Sequence, residues 1–239
     1  MSSERKDDPV LVITGASSGI GAAAARAAAG SYRLVLAARR LEELEALAAE
    51  LGGEERALAV RCDVTEWDQV EAMAAAALER FGRIDAVFAN AGFGASRGFL
   101  EESPAHWRSM VLTNVYGAAL TIRATLPHLL ERGDGHFLIT SSIAGRRALP
   151  GSLYSATKWA ATAIGESLRQ ELRQMHDNDR IKVTLIEPGM VDTPFFDNRP
   201  GPDAALHDDD VADAVVYALT RPQRVDVNEI LIRPTSQSS

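Results

Sequence analysis

The chain alternates between short apolar runs rich in valine, isoleucine and leucine and longer alanine-rich stretches with helical spacing. "VLVIT" (10–14), "RLVLAA" (33–38), "RALAVRCDV" (56–64), "IDAVFANAG" (84–92), "GHFLITSS" (135–142), "IKVTLIEPG" (181–189) and "NEILIRP" (228–234) predict strands. Helices are predicted between them over 20–30, 41–52, 66–82, roughly 104–131, roughly 152–176 and roughly 208–219. Gly30, Gly52 and Gly82 close the first three, and Pro104 lies near the first turn of the fourth. Strands that are apolar throughout and separated by helices imply a parallel sheet covered on both faces. With right-handed crossovers this is an α/β fold: a single-domain, doubly wound Rossmann-type parallel sheet with helices on both faces, spanning residues 1–239. The stretch "PFFDNRPGPDAALHD" (194–208) has no clear period and holds three prolines and two adjacent phenylalanines. It reads either as a lid, making about 190–208 a substrate loop, or as an ordinary surface loop. The terminal "SQSS" reads as frayed.

Composition narrows the partners. Of 239 residues, 46% are hydrophobic and 24% charged, and the net charge is −8 with a pI near 5.2. Nucleic acid and anionic membrane both require a basic face, so neither is expected as a partner. The single cysteine, Cys62, permits no intrachain disulfide and no cysteine-based metal site. The polar start "MSSERKDDPV" lacks an apolar signal core, and no apolar run reaches membrane-spanning length. The expectation is a cytoplasmic protein. None of the five histidines belongs to a metal-binding pattern, so no metal is assigned.

Two short segments carry candidate chemistry. "TGASSGIG" (14–21) follows the first strand and opens the first helix, with Gly15, Gly19 and Gly21 spaced to allow a tight turn and close approach of backbone to a pyrophosphate. The intervening Ser17, Ser18 and Ile20 belong to the same cradle. At the end of the second strand, where NAD sites usually carry a carboxylate, stand Ala37 and Ala38, followed by Arg39 and Arg40. Two guanidiniums there would suit a 2′-phosphate, so the cofactor reading is NADP, with Arg39 the nearer to the strand end; the alternative is that both merely begin the next helix. In "YSATK" (154–158), Tyr154 and Lys158 are four residues apart and share a helical face. A phenol with its usual pKa near 10 is a poor base at neutral pH, and a nearby ammonium favours the phenolate. Alone, such a pair is usually surface cover; beside a glycine turn and a serine-bearing strand end it reads as an acid–base pair.

These segments, together with "CDVT" (62–65), "NAG" (90–92), "NVYG" (114–117), "SSIAG" (141–145) and "PGMVDT" (188–193), resemble in kind and order the compact short-chain dehydrogenase/reductase family. The resemblance implies that Asp63, with the Val64 backbone, binds adenine and that Asn90, Ala91 and Gly92 line the adenosine ribose. It implies that the backbone around Pro188, Gly189 and Val191, with Thr193, holds the nicotinamide carboxamide. Lys158 would bind the nicotinamide ribose, and Asn114 would hold a water relaying protons to Lys158, although an asparagine in a helix can also simply bond the backbone. A serine would polarise the substrate oxygen. Counting back from Tyr154 gives Ser141; matching the local string gives Ser142, the preferred reading. The implied activity is interconversion of a carbonyl and a secondary alcohol on a small-molecule substrate. Same-fold epimerases or lyases and a non-catalytic dinucleotide sensor are the alternatives. The pocket walls would be apolar, from Phe93, Leu149, Leu153, Met190, Phe195 and Phe196. Arg146 and Arg147 either meet a substrate carboxylate or point to solvent. Family members are usually dimers or tetramers joined through the fourth and fifth helices, so a homo-oligomer is expected, with the terminal strand as another possible contact.

Overall fold

The strand runs are apolar on consecutive residues because both faces of the sheet are buried. The structure is a computed structural model that describes residues 8–96, 98–193 and 204–237. Among these, β1 (Val10–Thr14), β2 (Arg33–Ala38), β3 (Ala57–Arg61), β4 (Ala86–Ala89), β5 (Gly135–Thr140), β6 (Ile181–Pro188) and β7 (Glu229–Ile232) form one sheet in the order β3-β2-β1-β4-β5-β6-β7. Every neighbouring pair is parallel. Alternate residues serve two cores. Val10, Val12 and Val35 pack with α3 (Trp67–Phe81), α5 (Ala118–Arg132) and α6 (Leu153–Gln174). Leu11, Ile13, Leu34 and Leu36 pack with α1 (Gly19–Ala28), α2 (Leu41–Glu50) and α7 (Asp208–Leu219) on the other face. Burying each such side chain contributes roughly 1.5–3 kcal/mol before entropy is counted. Small side chains at Ala22–Ala25 let α1 lie close to α7 in the second core.

Strand order reverses between β1 and β4: from β1 the chain runs outward through β2 to β3, then returns to β4 on the other side of β1. Connections leaving these carboxyl ends diverge and open a crevice, the usual ligand position in such sheets. The predicted strands at 56–64 and 84–92 end earlier, at Arg61 and Ala89, because the chain leaves the ladder there to line this crevice. The predicted helix at 104–131 is also not continuous. It runs as α4 (Pro104–Val111), a π-helical turn over Leu112–Gly117, and then α5. Gly117 ends the wide turn against β3's exit loop, where an added Cβ would lie 2.6 Å from Val64 Cγ2. Among the described residues no helix is long and apolar enough to cross a membrane, and no cluster of His, Cys, Asp or Glu could hold a metal ion.

One core polar group has a consequence for stability. His136 on β5 is 5% exposed, and its Nε2 lies 2.7 Å from Thr184 Oγ1. That hydroxyl donates to the Val227 carbonyl, so Nε2 carries the imidazole proton and Nδ1 is left without a partner. Burial first, and repulsion from Lys182 second, push the imidazole down to about 3. In the unfolded chain it titrates near 6.5. The folded state therefore resists protonation, and its advantage is complete above pH 6.5 and shrinks as pH falls below that. From pH 6.5 to 5 the loss is expected to be about 2 kcal/mol, at about 1.4 kcal/mol per unit. Urea unfolding at pH 7 and pH 5 should show this loss in the wild type and a clearly smaller one in His136→Asn. An NMR titration showing His136 protonated in the folded protein at pH 5 would refute the assignment.

Candidate active site

The crevice holds a cavity of about 550 Å³ running from the β2 end past β1 and β4 to the end of β6. At its near end is the glycine turn. Gly15 and Gly19 have φ of 70° and 52°, which L side chains rarely adopt. A Cβ on Gly15 would lie 2.9 Å from Ala91 Cα, and one on Gly21 2.3 Å from the Gly15 carbonyl oxygen. Ser18 caps α1 in backbone only: its hydroxyl makes no cap bond, and no acidic residue lies in the first turn. The leading N–H groups of α1 are thus left without a side-chain acceptor at the cavity wall. That arrangement suits a phosphate. Ser17 and Ser18 instead accept hydrogen bonds from the Arg40 guanidinium, at 3.0 and 2.9 Å.

Arg40 also pairs with Glu43 at 3.3 Å. Arg39 lines the same end of the cavity, is exposed, and makes no ion pair or hydrogen bond with the described residues. The β2 end carries Ala37 and Ala38, buried in the sheet, and among the described residues no carboxylate stands there. Asp63 and Val64 line the adjoining wall. The Asp63 carboxylate accepts from the Thr65 N–H at 3.0 Å and from its hydroxyl at 2.8 Å, so it braces a local turn as well as facing the cavity. Cys62 beside it is buried, and its thiol is pushed up to about 11 by desolvation and then by Asp63, so it remains protonated.

Asn90 sits at the exit of β4 and joins three strands. Its Nδ2 donates to the Thr14 carbonyl at 3.1 Å, and its Oδ1 accepts from Thr140 Oγ1 at 3.0 Å. Thr14 Oγ1 in turn accepts from the N–H groups of Asn90 and Ala91 at 3.1 and 3.2 Å. Thr14 and Thr140 were not singled out from the sequence, because a threonine at a strand end has no distinctive spacing. Gly92 approaches the π turn: a Cβ there would lie 3.0 Å from Asn114 Oδ1. Asn114 is 3% exposed. Its amide bonds the Phe93 N–H and carbonyl at 3.0 and 2.9 Å and donates to Thr157 Oγ1 at 3.1 Å. The side chain thus joins the π turn to α6 and to the loop after β4.

At the far end, Tyr154 and Lys158 project from the first turns of α6, whose N-cap Ser152 accepts from the Ser155 N–H. Lys158 is buried and donates from Nζ to the Thr140 carbonyl at 2.9 Å; Nζ lies 5.6 Å from the centre of the Tyr154 ring. The two serines after β5 point in different directions. Ser141 Oγ bonds the Lys158 carbonyl at 3.0 Å and Thr162 Oγ1 at 2.7 Å, behind the site. Ser142 Oγ bonds the Tyr154 phenol, the Pro188 carbonyl at 3.2 Å and the Ala144 N–H at 3.1 Å. Burial dominates both titrating groups. It pushes the phenol up to about 12 against a smaller lowering by Ser142, and pushes the Lys158 ammonium down to about 8. The lowering of the phenol expected from Lys158 is not seen: the phenol stands above its ordinary value, and the lowering comes from Ser142.

The wall after β6 comes from Pro188, Gly189, Met190, Val191 and Thr193. Thr193 packs over the glycine turn, 3.2 Å from where a Gly19 Cβ would be. The Asp192 N–H donates to the Leu206 carbonyl at 2.8 Å. Phe195 and Phe196, and most of the expected substrate loop at 190–208, lie outside the described residues. Arg146 does not face the cavity: it pairs with buried Glu187 at 2.8 Å and with Glu229. Gln237 lines the cavity, where the sequence predicted a frayed end.

A family model described as short chain dehydrogenase matches residues 9–202. An uncharacterised oxidoreductase of Staphylococcus saprophyticus is 38% identical over 244 residues, covering 97% of this chain and 98% of its own. An alcohol dehydrogenase from the archaeon Thermococcus sibiricus, solved with 5-hydroxy-NADP, superposes with a TM-score of 0.88 at 35% identity, covering 98% of this chain and 99% of its own. A 3-ketoacyl-(acyl-carrier-protein) reductase from Brucella melitensis, solved with NADH, superposes with a TM-score of 0.85 at 28% identity, covering 95% and 98%. Fold, site order and matched sequence agree over nearly the whole length: the chain belongs to the short-chain dehydrogenase family of oxidoreductases.

Proposed function

We propose that this protein is an NADP(H)-dependent oxidoreductase that interconverts a carbonyl and a secondary alcohol. The observation that carries the reading is the Ser142–Tyr154 hydroxyl pair beside buried Lys158, in the cavity that begins at the uncapped N-terminus of α1. The glycine turn Gly15–Gly21 would hold the pyrophosphate, Asp63 and Val64 the adenine, Asn90–Gly92 the adenosine ribose, Lys158 the nicotinamide ribose, and Gly189, Val191 and Thr193 the carboxamide. When bound, the dinucleotide supplies or accepts a hydride at its nicotinamide ring. The residues of the chain handle the oxygen. Ser142 and Tyr154 donate hydrogen bonds to the substrate oxygen and so favour the charge that develops on it. Tyr154 then gives its proton to that oxygen in reduction and takes one from the alcohol in oxidation. A phenol pushed up to about 12 is fully protonated at neutral pH, the state reduction requires. Lys158, still mainly protonated at pH 7, favours the phenolate that reduction leaves behind. Asn114 fixes Phe93 and Thr157 around the site, and the family resemblance gives it a water on the path to Lys158.

The absence of a carboxylate at the β2 end and the unengaged guanidinium of Arg39 support NADP over NAD. Arg40, shared with Ser17, Ser18 and Glu43, assists as a second positive charge. On the substrate side, Phe93, Ile143, Leu149 and Met190 form an apolar wall, and Arg146 is neutralised by two glutamates. These features favour a neutral ketone, aldehyde or secondary alcohol over a carboxylate-bearing substrate. Exposed Val111, Tyr116 and Trp159, on α4, the π turn and α6, support association into a homo-oligomer.

A panel of neutral ketones and aldehydes, followed by NADPH absorbance, tests the activity; consumption with none of them would overturn it. With a responsive substrate, Tyr154→Phe should lower kcat about 10²–10⁴-fold and leave the NADPH dissociation constant within about twofold. Undiminished turnover would remove Tyr154 as the proton donor. Arg39→Ala should weaken NADPH binding about 10-fold or more and leave NADH binding nearly unchanged. Equal losses for both would discredit the 2′-phosphate role.

A further inference from the structure

Gln237 lies in the tail beyond β7 yet lines the cavity. Its Oε1 accepts the Met190 N–H at 3.0 Å, and its own N–H donates to the Pro234 carbonyl at 3.0 Å, so the tail turns back at that point. One residue earlier, the Gly189 N–H donates to the Ile232 carbonyl at 2.7 Å. The fit is close enough to explain the glycine. A Cβ on Gly189 would lie 2.2 Å from Gln237 Oε1 and 2.7 Å from Arg233 Cβ. Gly189 does not have a positive φ, so what requires the missing side chain is the tail rather than the backbone conformation. Two successive residues of the cavity wall are therefore held from the C-terminal side of the chain, Gly189 by the end of β7 and Met190 by the tail through the Gln237 side chain.

Resting on the dinucleotide reading of the cavity, we propose that Gln237 is a positioning residue that latches the wall Gly189–Thr193. Its carboxamide oxygen fixes the Met190 N–H and thereby the path of the Val191 backbone beside it. Without the latch, the bonds that remain to this turn among the described residues include the strand bond at Gly189, those of Leu206 with Met190 and Asp192, and the Thr193 N–H to the Val191 carbonyl. The wall would then sample orientations that do not match the cofactor, and affinity would fall by the fraction of time spent in them. Proton transfer at Ser142, just beyond β5, and Tyr154, on α6, would be little changed once the ligand is bound.

Gln237→Ala, Gln237→Glu and wild type separate this from a general structural role. Glutamate keeps an acceptor oxygen at the same reach; alanine does not. Hydrogen exchange at the Met190 amide should accelerate about 10-fold or more in Gln237→Ala and return toward the wild-type rate in Gln237→Glu. The dissociation constant for NADPH and the NADPH KM should rise about threefold to tenfold in Gln237→Ala, with kcat within about twofold and recovery in Gln237→Glu. Unchanged exchange in Gln237→Ala, or equal impairment by alanine and glutamate, would overturn the latch. If wild type bound no nicotinamide dinucleotide, the proposed function would fail, and Met190 exchange would still decide for or against the latch.

Discussion

The site depends on holding together a crevice that the topology tends to open. Connections from β1 and β4 leave in opposite directions, so the carboxyl ends of these strands have no shared crossover to brace them. Asn90 supplies the brace: its amide spans from the Thr14 carbonyl to the Thr140 hydroxyl, while Thr14 binds two N–H groups of the β4 exit. The Thr140 carbonyl then receives Lys158 Nζ. A single run of hydrogen bonds thus links the glycine turn after β1 to the lysine on α6. Thr14 and Lys158 are buried and Asn90 and Thr140 half-buried, and a buried amide or hydroxyl left unpaired costs roughly 1–3 kcal/mol. Shifting any one strand end would leave several groups unpaired at once. The two ends of the cavity are therefore placed relative to each other by strand ends, with long loops left free to vary.

The same removal from water sets the chemistry of the far end. Burial disfavours charge on both Tyr154 and Lys158, raising the phenol and lowering the ammonium. Lys158 Nζ donates to the Thr140 carbonyl and lies 5.6 Å from the centre of the Tyr154 ring. An ammonium at that range favours a phenolate more strongly as solvent is excluded. A neutral phenol held by Ser142 is in the protonation state that the proposed reduction needs, and under that proposal the positive charge of an oxidised nicotinamide would favour the phenolate.

Much of this was legible in the sequence because it rests on periodicity and short spacing. Apolar runs gave the strands, glycines at 15, 19 and 21 gave the turn, and the four-residue spacing of Tyr154 and Lys158 gave a shared face. What was missed or left open has specific causes. The π turn at Leu112–Gly117 adds a single residue to one helical turn, too small a shift to disturb an apolar pattern. Counting and string-matching disagreed over Ser141 and Ser142, whereas alternation at a strand end sends one side chain to α6 and the other to the cavity. Arg146 looked available for a substrate because its partners, Glu187 and Glu229, are far away in sequence. Gln237 could not be read at all, since a polar residue two positions from the end of a chain looks like a solvated tail.

That last miss bears on how this fold separates reaction from specificity. Tyr154 and Lys158 stand on α6, and Ser142 lies two residues beyond the end of β5; both elements are anchored in the core. The other walls of the cavity come from the exits of β4, β5 and β6 and from the tail. Beyond Asn90 and Ala91, these segments take no part in the strand-end network. Their side chains can therefore change the shape of the cavity while Tyr154 and Lys158 stay in place. The cavity wall at Gly189–Met190 belongs to both groups: it begins in β6 and is finished by the tail. A change in the last few residues of this chain thus reaches the site directly through the backbone of that wall.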